Sequence, residues 1–327
     1  MKKKICYNII FLCCFISCVE ENKMQKNEYV VINTVDNFGD SVFFSQVNYM
    51  QLYKDKLFFN DNYASQIFSL NKDLSLNRII GQRGEGPNEF NYMGPLNVLD
   101  NIICQFSGGG YGFLYYYDLS GNIIEKHEIS QQEYKFMPSC RFVITPFHMF
   151  VSSTHRGPSD YGEVSLKTDI QYPFGEIENK KIVGFSRHIL KWNNQYVCVS
   201  DNIPIIEFFD PESKQKIKTY DYSDVPEVKK SLGYIERQPT APKSYYMINS
   251  DACIYNDKLY ILLMQHGDET GFSVNKILEI ELTPIIQTTN IFELPGNIYN
   301  TFCMSGDSIY AFNHINSQIE ILIKKGL

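Results

Sequence analysis

The sequence predicts an all-β protein, a six-bladed β-propeller with four-stranded blades whose ring is closed by the N-terminal strand. Three observations lead to this prediction. Two short apolar strands joined by a tight polar turn recur six times, a third and often a fourth strand follow, and almost no helical periodicity exceeds two turns. Four short strands per unit are typical of a propeller blade.

The recurring turns set the length of the repeat. They fall near positions 55, 100, 146, 194, 257 and 307, so the steps are 45, 46, 48, 63 and 50 residues. The sixth unit ends at Ile323 after three strands, whereas a strand-like run over Glu28–Val35 precedes the first unit. We therefore expect this run to supply the outer strand of the last blade and to leave no open edge. The predicted propeller domain is 28–327.

The N-terminus has the pattern of a secretory signal. A basic start over Lys2–Lys4 is followed by an apolar run that is too short to span a bilayer as a helix. Cys18 then resembles the lipidated residue of a bacterial lipobox, although Phe15 stands where Leu is usual. This predicts a lipoprotein signal peptide over 1–17 and a tether over 18–27. An ordinary signal with an incidental cysteine, or an uncleaved anchor, is the alternative.

The residues that follow Cys18 give an indication of the cellular location. The acidic pair Glu20–Glu21 is similar to the surface-export signal of Bacteroidota lipoproteins, but it also fits a solvated tether that faces the periplasm. We expect an outer membrane lipoprotein of the cell envelope, either periplasmic or surface-exposed, held to the membrane by its lipid anchor.

The net charge argues against a nucleic-acid partner, and the cysteine pattern argues against a zinc site and a disulfide framework. Removing the signal, which holds three lysines and no acidic residue, changes the formal charge from −7 to −10. Nucleic acid is thus not an expected partner, because phosphate binding needs clustered Lys and Arg. The cysteines beyond Cys18 sit in apolar strand patterns without zinc spacing, which predicts buried free thiols and no disulfide framework. They are Cys104, Cys140, Cys198, Cys253 and Cys303.

The long step between 194 and 257 contains an insertion around Tyr222–Tyr246. It carries three prolines, mixed charges and frequent aromatic residues, and a short helix is predicted over Glu227–Leu232. A long loop in a compact fold is usually either a functional lid or a surface loop without a function. We favour a lid.

A glycine-rich stretch follows the first unit. Gly81-x-x-Gly84-x-Gly86-Pro87-x-Glu89-Phe90 lies between two predicted strands, and its glycines and proline exclude regular structure. This motif, together with the blade pattern, resembles the six-bladed β-propeller lipoproteins of Bacteroidota that are described as TolB-like. The resemblance implies a six-bladed ring on the cell envelope and does not carry an established substrate, since the fold hosts binders, lyases and hydrolases alike.

The glycine-rich stretch is also a candidate binding loop. It is a fourth-to-first strand connection, and such connections share one rim of the channel with the second-to-third connections. Arg83 could bind an anionic or hydroxylated ligand, oriented by Glu85 and Glu89. The structural alternative is that Arg83 and Glu89 pair to pin a tight blade junction, with Phe90 packed beneath. The stretch is not a P-loop, because neither a lysine nor a helix follows it.

Histidines and tyrosines fall on the other predicted rim loops. His155, His266 and His314 could hold a divalent metal or act as acid and base, and His188 may be expected close by at the start of a first strand. Solvated loop histidines are the alternative, because no local ligand motif exists.

Two tyrosines are candidates for ligand stacking at this rim. Tyr63 and Tyr111 lie on predicted loops and could stack on sugar rings, whereas Tyr115–Tyr117 alternate along a strand and are expected to pack between blades. Trp192 closes a first strand and is expected in the core or at a blade junction.

Three functions are compatible with these features. The first is an envelope-anchored binding module that recognises a small ligand, a glycan or an envelope protein at the channel-mouth rim, without a cofactor. The second is a metal-assisted lyase or hydrolase that uses the rim histidines and a divalent metal. The third is a structural subunit of an outer-membrane uptake or secretion assembly. No common catalytic signature is present, so the sequence leaves enzymatic activity open.

Overall fold

The computed structural model describes residues 24–39, 42–86, 88–108, 112–129, 140–152, 161–168, 170–175, 186–239, 246–268 and 271–326. The prediction of an all-β fold is confirmed, because strands dominate these residues and they contain one α-helix. The first strand is β1 (Gln25–Val35).

Two four-stranded antiparallel sheets and a small strand pair follow β1, and neighbouring strands in each large sheet are consecutive in the chain. The first sheet contains β2 (Val47–Tyr53), β3 (Lys56–Asp61), β4 (Gln66–Asn71) and β5 (Leu76–Ile80). The parallel pair is β6 (Gln82–Arg83) and β7 (Glu89–Phe90). The second sheet contains β8 (Leu96–Leu99), β9 (Ile102–Ser107), β10 (Gly112–Asp118) and β11 (Ile123–Ile129).

Two more four-stranded sheets and the helix complete the middle of the chain. The third sheet contains β12 (Val143–Ile144), β13 (His148–Ser152), β14 (Tyr161–Ser165) and β15 (Gln171–Phe174). The fourth sheet contains β16 (Arg187–Trp192), β17 (Gln195–Ser200), β18 (Ile205–Phe209) and β19 (Lys216–Asp221). The helix is α1 (Pro226–Ile235).

The C-terminal strands form one eight-stranded sheet in the order β20-β21-β22-β23-β1-β26-β25-β24. It consists of two antiparallel meanders joined through β1. Its strands are β20 (Asn249–Tyr255), β21 (Lys258–Gly267), β22 (Gly271–Glu281), β23 (Gln287–Glu293), β24 (Tyr299–Ser305), β25 (Ser308–Asn313) and β26 (Gln318–Lys324).

The first strands of the successive units surround a common channel. Contacts run from β2 to β8, from β8 to β12, from β12 to β16, from β16 to β20, from β20 to β24 and from β24 back to β2. This closed cycle of inner strands is the arrangement of a β-propeller, in which each unit extends outward from the channel.

The N-terminal strand joins the two ends of the chain. It runs antiparallel to β26, with Val31 opposite Leu322, so the predicted pairing of the N-terminal run with the last unit is confirmed. Its first four residues instead pair in parallel with β23, Gln25 lying opposite Asn290. The strand therefore includes residues 25–27, which the sequence assigned to the tether, because β23 offers an open edge there.

Tight turns between the first and second strands explain the repeat pattern. In three of them both central residues are left-handed, with φ of 44° and 62° at Lys54 and Asp55, and 48° and 67° at Asp100 and Asn101. Two successive left-handed residues make the hairpin turn whose twist suits antiparallel strands, and Asn and Asp tolerate that conformation best.

Apolar side chains pack between neighbouring sheets. Tyr115 and Tyr117 lie in one buried cluster with Phe90 and Ile67, which joins the first and second sheets, as expected for these tyrosines. Trp192 lies in another cluster with Val228 of α1, which confirms its core role. Cys104, Cys198 and Cys303 are buried free thiols, as expected for these three cysteines.

Candidate functional site

Three inner strands are irregular at the same point near their first residues. Register shifts occur between Asn48 and Gln51 in β2, between Asn249 and Asp251 in β20, and in the corresponding part of β24. A bulge redirects side chains and is common beside functional sites. These bulges place residues of three units around the channel axis.

A charged cluster, here called the central clasp, consists of Arg141, Asp251 and Thr301. Arg141 precedes β12, and its Nε and Nη2 atoms donate to the two carboxylate oxygens of Asp251 at 2.6 and 2.8 Å. Thr301 Oγ1 donates to Asp251 at 2.6 Å and accepts from the Met50 amide at 2.9 Å. Arg141 also donates to the Met50 carbonyl at 2.9 Å. The clasp thus links four units across the channel.

The clasp is buried and electrically balanced. Arg141 is 8% exposed and Asp251 is 2% exposed. Burial alone would raise the pKa of Asp251, but the charge and hydrogen bonds of Arg141 outweigh it and hold the pKa below its usual range. Bidentate geometry and further backbone donors satisfy the carboxylate, which is the condition for a buried ion pair to be tolerated.

His188 lies beside the clasp. Its Nδ1 atom is 3.9 Å from the Asp251 carboxylate and has no hydrogen-bond partner in the part of the chain described here. Burial lowers the pKa of His188 to about 4; Asp251 acts to raise it and Arg141 acts to lower it. The imidazole is therefore neutral at neutral pH. His188 lies near the start of the first strand β16, as expected, whereas its closeness to the rim histidines stays a prediction.

A cavity of about 220 Å³ opens along the channel next to the clasp. Inner strands of five units line it, and Gln51, Asn97, Arg141, Lys191 and Cys253 contribute polar atoms. The amide of Gln51 is occupied by the Val98 backbone, from which it accepts and to which it donates at 2.9 Å.

Tyr63 and Arg83 are brought together at the rim formed by the second-to-third and fourth-to-first connections. Tyr63 is 68% exposed. Arg83 donates to the Tyr63 carbonyl at 3.2 Å, and its guanidinium carbon lies 5.7 Å from the centre of the Tyr63 ring. An exposed aromatic face beside a guanidinium forms a surface that hydroxyl and carboxylate groups can contact.

The glycine-rich loop is held by Glu89 rather than by an ion pair with Arg83. Glu89 accepts from the Gln82 side chain and from the Gly86 amide, both at 2.7 Å, and these bonds lower its pKa. A Cβ at Gly84, where φ is +153°, would lie 2.0 Å from the Glu89 carboxylate. The suggested Arg83–Glu89 pairing is thus wrong, because the closely packed glycines bring backbone amides to the carboxylate first. The buried position expected for Phe90 is confirmed.

The remaining acidic and histidine candidates have separate partners. Glu85 accepts from Asn91 at 3.3 Å. His266 Nε2 lies 2.8 Å from the Met247 carbonyl, whereas His314 Nδ1 lies 3.3 Å from the Asn300 amide. The described contacts of the two histidines have no residue in common. Within the described ranges, no three His, Cys, Asp or Glu residues form a group that could hold a metal ion.

Three candidates fall on parts of the chain outside the described residues. They are Tyr111, His155 and the lipidation residue Cys18. Their roles stay predictions.

The helical part of the insertion is fixed to the propeller. Helix α1 begins at Pro226, one residue before the predicted start, and the Ser231 hydroxyl accepts from the His266 amide at 3.1 Å. The Tyr234 ring stacks on His266 at 6.3 Å between centres. The role of a lid for the insertion stays a prediction.

Sequence reasoning missed Arg141 and Asp251. The available signal was a charged residue directly before a short apolar run, Arg141 before Phe142–Ile144 and Asp251 before Ala252–Ile254. A single charged position has no partner visible in the sequence, and only the closed ring shows that the two residues face each other.

Comparisons with known proteins support the fold. No family model matches the chain, and no curated protein matches it. A DUF4221-family protein from Bacteroides vulgatus is similar in structure, with a TM-score of 0.63, 12% identity, and coverage of 92% of this chain and 99% of that protein. A protein from Bacteroides fragilis that is described as exported has a TM-score of 0.58, 12% identity, and coverage of 91% and 98%.

A further similar structure is an auxiliary nutrient binding protein from Bacteroides thetaiotaomicron, with a TM-score of 0.56, 10% identity, and coverage of 91% of this chain and 73% of that protein. At these identities the similarities establish the β-propeller fold alone. Membership of the TolB-like lipoprotein family stays a prediction. Among the described residues, no helix is long and apolar enough to cross a membrane.

Proposed function

We propose that the chain is an envelope-anchored, six-bladed β-propeller that binds a small ligand, a glycan or a protein at its rim, with Tyr63 and Arg83 as the main contacts. The count of six follows when the eight-stranded sheet is divided at β1 and that strand is taken as the fourth strand of the last blade. Glu85, Glu89, Tyr111, His155, His266 and His314 are the other candidate rim residues.

The exposed Tyr63 ring beside the Arg83 guanidinium is the observation that carries this proposal. Exposed side chains of this kind are costly to order on binding, but here the Arg83 guanidinium is already bonded to the Tyr63 backbone. The glycine-rich loop beneath is held by Glu89. A ligand therefore meets a largely preformed surface.

Anchoring through Cys18 would hold this surface at the envelope. Met24 packs against a core cluster, and the Lys26 ammonium lies 2.9 Å from Glu227 of α1. The exported and nutrient-binding descriptions of two similar Bacteroides proteins agree with an envelope role.

The alternative is a metal-assisted lyase or hydrolase that uses the rim histidines. Because His266 and His314 have separate described partners, we rank this alternative below binding. Elemental analysis of the purified protein separates the two: a stoichiometric divalent metal that is lost in a His266→Ala variant would favour the enzyme.

A thermal-shift screen of the mature protein against glycans and peptides tests the binding function. We expect at least one ligand to raise Tm, and Arg83→Ala or Tyr63→Ala to weaken that ligand about tenfold without unfolding the ring. Arg78→Ala and Tyr172→Ala are matched controls, because both residues are exposed on outer strands. Equal loss of binding in the control variants, or no response from the whole screen, would contradict the proposal.

Metabolic labelling with an alkyne fatty acid tests the anchor. We expect the full-length chain to incorporate the label and to sediment with membranes, and Cys18→Ala to lose both properties. A labelled Cys18→Ala variant would show that Cys18 is not the lipidated residue.

A further inference from the structure

A group of polar residues, here called the polar well, lies at the rim end of the channel and consists of the buried Ser200, Asn202 and Asn249 and the half-buried Ser250. The end of β17 and the start of β20 bring them together. The backbone amides of Ile248 and Asn249 both donate to the Asp201 carbonyl, at 2.6 and 3.2 Å, and the Asn249 side chain donates to the Ser200 carbonyl.

The polar well has hydrogen-bonding atoms without partners in the described protein. Asn202 is 7% exposed, and neither atom of its side-chain amide has a hydrogen-bond partner. The Ser200 hydroxyl, the Ser250 hydroxyl and the Asn249 amide oxygen also lack partners. Because buried polar groups are almost always paired, such a concentration points to a partner that arrives from outside the chain.

Unpaired atoms in the first sheet are of a different kind. Asn60 lacks a partner only for its amide oxygen, because its nitrogen donates to the Gly94 carbonyl at 2.7 Å. At Asn62 the buried atom without a partner is the amide oxygen. Asn202 alone among these asparagines has both a buried donor and a buried acceptor without partners.

The formal charges of the residues beside the polar well sum to zero. Asp251 is paired with Arg141, and His188 is uncharged at neutral pH. The neighbouring Arg187 and Asp201 have opposite charges, and each takes part in an interaction. A charged ligand would lose its hydration here without meeting a net opposite charge.

We infer that the polar well binds a neutral, hydroxyl-rich ligand, of the chemical class of a neutral sugar unit. Sugar hydroxyls both donate and accept, and the polar well offers two hydroxyls, one complete amide and one further amide oxygen. The inference rests on the proposed binding function and assigns to it a ligand class and a subsite. Sites built to bond hydroxyl groups discriminate strongly, because analogues without them leave buried groups unpaired.

Isothermal titration of the mature protein with glucose, galactose, mannose and N-acetylglucosamine tests the inference, with glucuronate as the charged analogue. We expect at least one neutral sugar to bind, and to bind at least about tenfold more tightly than glucuronate. Asn202→Leu should weaken that sugar about tenfold or more, Ser250→Ala should weaken it measurably, and Arg78→Ala is the matched control.

Each other result overturns the inference. If glucuronate is preferred and Arg83→Ala removes its binding while Asn202→Leu does not, the ligand sits at the rim pair and the proposed function survives. If none of these sugars binds, the inference fails, and the wider glycan and peptide screen decides the proposed function independently.

Stability of the sugar-free protein gives a second readout, which also shows that Asn202→Leu folds. Leu keeps the branched shape of Asn and removes two unpaired buried atoms, but it is bulkier, so Asn202→Ala is measured beside it. Tm should stay equal or rise in at least one of the two variants. A fall in Tm of several degrees in both variants would indicate that Asn202 has a structural role, and would overturn the inference.

Discussion

The central clasp and the polar well are neighbouring groups of polar residues. They differ in whether their buried polar atoms have hydrogen-bond partners. In the clasp, both carboxylate oxygens of Asp251 accept hydrogen bonds, and the guanidinium of Arg141 donates to units on different sides of the channel. In the polar well, both amide atoms of Asn202 lack partners. The contrast teaches that burial alone is no reason to propose a binding site, and that missing hydrogen-bond partners are the feature on which our inference for Asn202 rests.

Breaking the clasp should have the largest effect on stability. Arg141→Met leaves the Asp251 carboxylate buried and unpaired, and we expect a loss of about 3–5 kcal/mol in the free energy of unfolding. Chemical denaturation measures this loss, with the exposed Arg78→Met as control. Arg141→Met/Asp251→Leu should be more stable than Arg141→Met alone, because the stranded charge is gone. A loss below about 1 kcal/mol in the single variant would contradict a structural role for the clasp.

His188, between the two regions, should make stability depend on pH. Burial lowers its pKa from 6.5 to about 4, so the unfolded chain binds this proton at a higher pH than the folded protein does. The contribution of the neutral His188 imidazole to the free energy of unfolding is complete above about pH 6.5. It is lost as the pH falls towards 4, and the loss is about 3 kcal/mol. Urea denaturation at pH 7, 5.5 and 4.5 should show a smaller acid loss in His188→Gln than in the wild type. Parallel losses would show that His188 does not carry this dependence.

Substitution in the polar well should affect stability in the opposite direction to substitution in the clasp. Removing the unpaired amide in Asn202→Leu should leave stability unchanged or raise it by about 1 kcal/mol. Denaturant midpoints in the absence of sugar measure the change, and Asn60→Leu provides a comparison in which a bonded nitrogen is lost and stability should fall. Equal losses in both variants would show that Asn202 is as important for stability as the hydrogen-bonded Asn60.

The rim pair should have the smallest effect on stability. Tyr63 and Arg83 are exposed, so Arg83→Ala should change the free energy of unfolding by less than about 0.5 kcal/mol. Its effect belongs to ligand binding. A large loss of stability in Arg83→Ala would show instead that the contact between Arg83 and Tyr63 stabilises the folded loop.

Much of the architecture could be predicted from the sequence, because strand alternation and turn chemistry are local. The strand that contains Tyr115–Tyr117, the turn near position 257 and the pairing of the Val31 run with the last unit follow from the repeat and are confirmed. The predicted end of a strand is less accurate where pairing with another strand decides it, as at Gln25, which pairs with β23.

The candidate site was less predictable, because it depends on which residues meet across the ring. Local spacing drew attention to Arg83 and Glu89, and the structure gives them different partners. Arg141 and Asp251 are far apart in the chain, and no local pattern links them. Asn202 resembles any loop asparagine in the sequence, and its missing partners exist only as a property of the fold.

The position of β1 has a consequence for biogenesis. This strand and its antiparallel partner, residues 319–324, are separated in the chain by all the other sheets. Until that partner has been synthesised, the strand has no neighbour on that side, and the loop to be closed is very long, so closure is entropically slow. A nascent chain that already contains the first sheets therefore still lacks the strand pairing that joins the two ends of the ring.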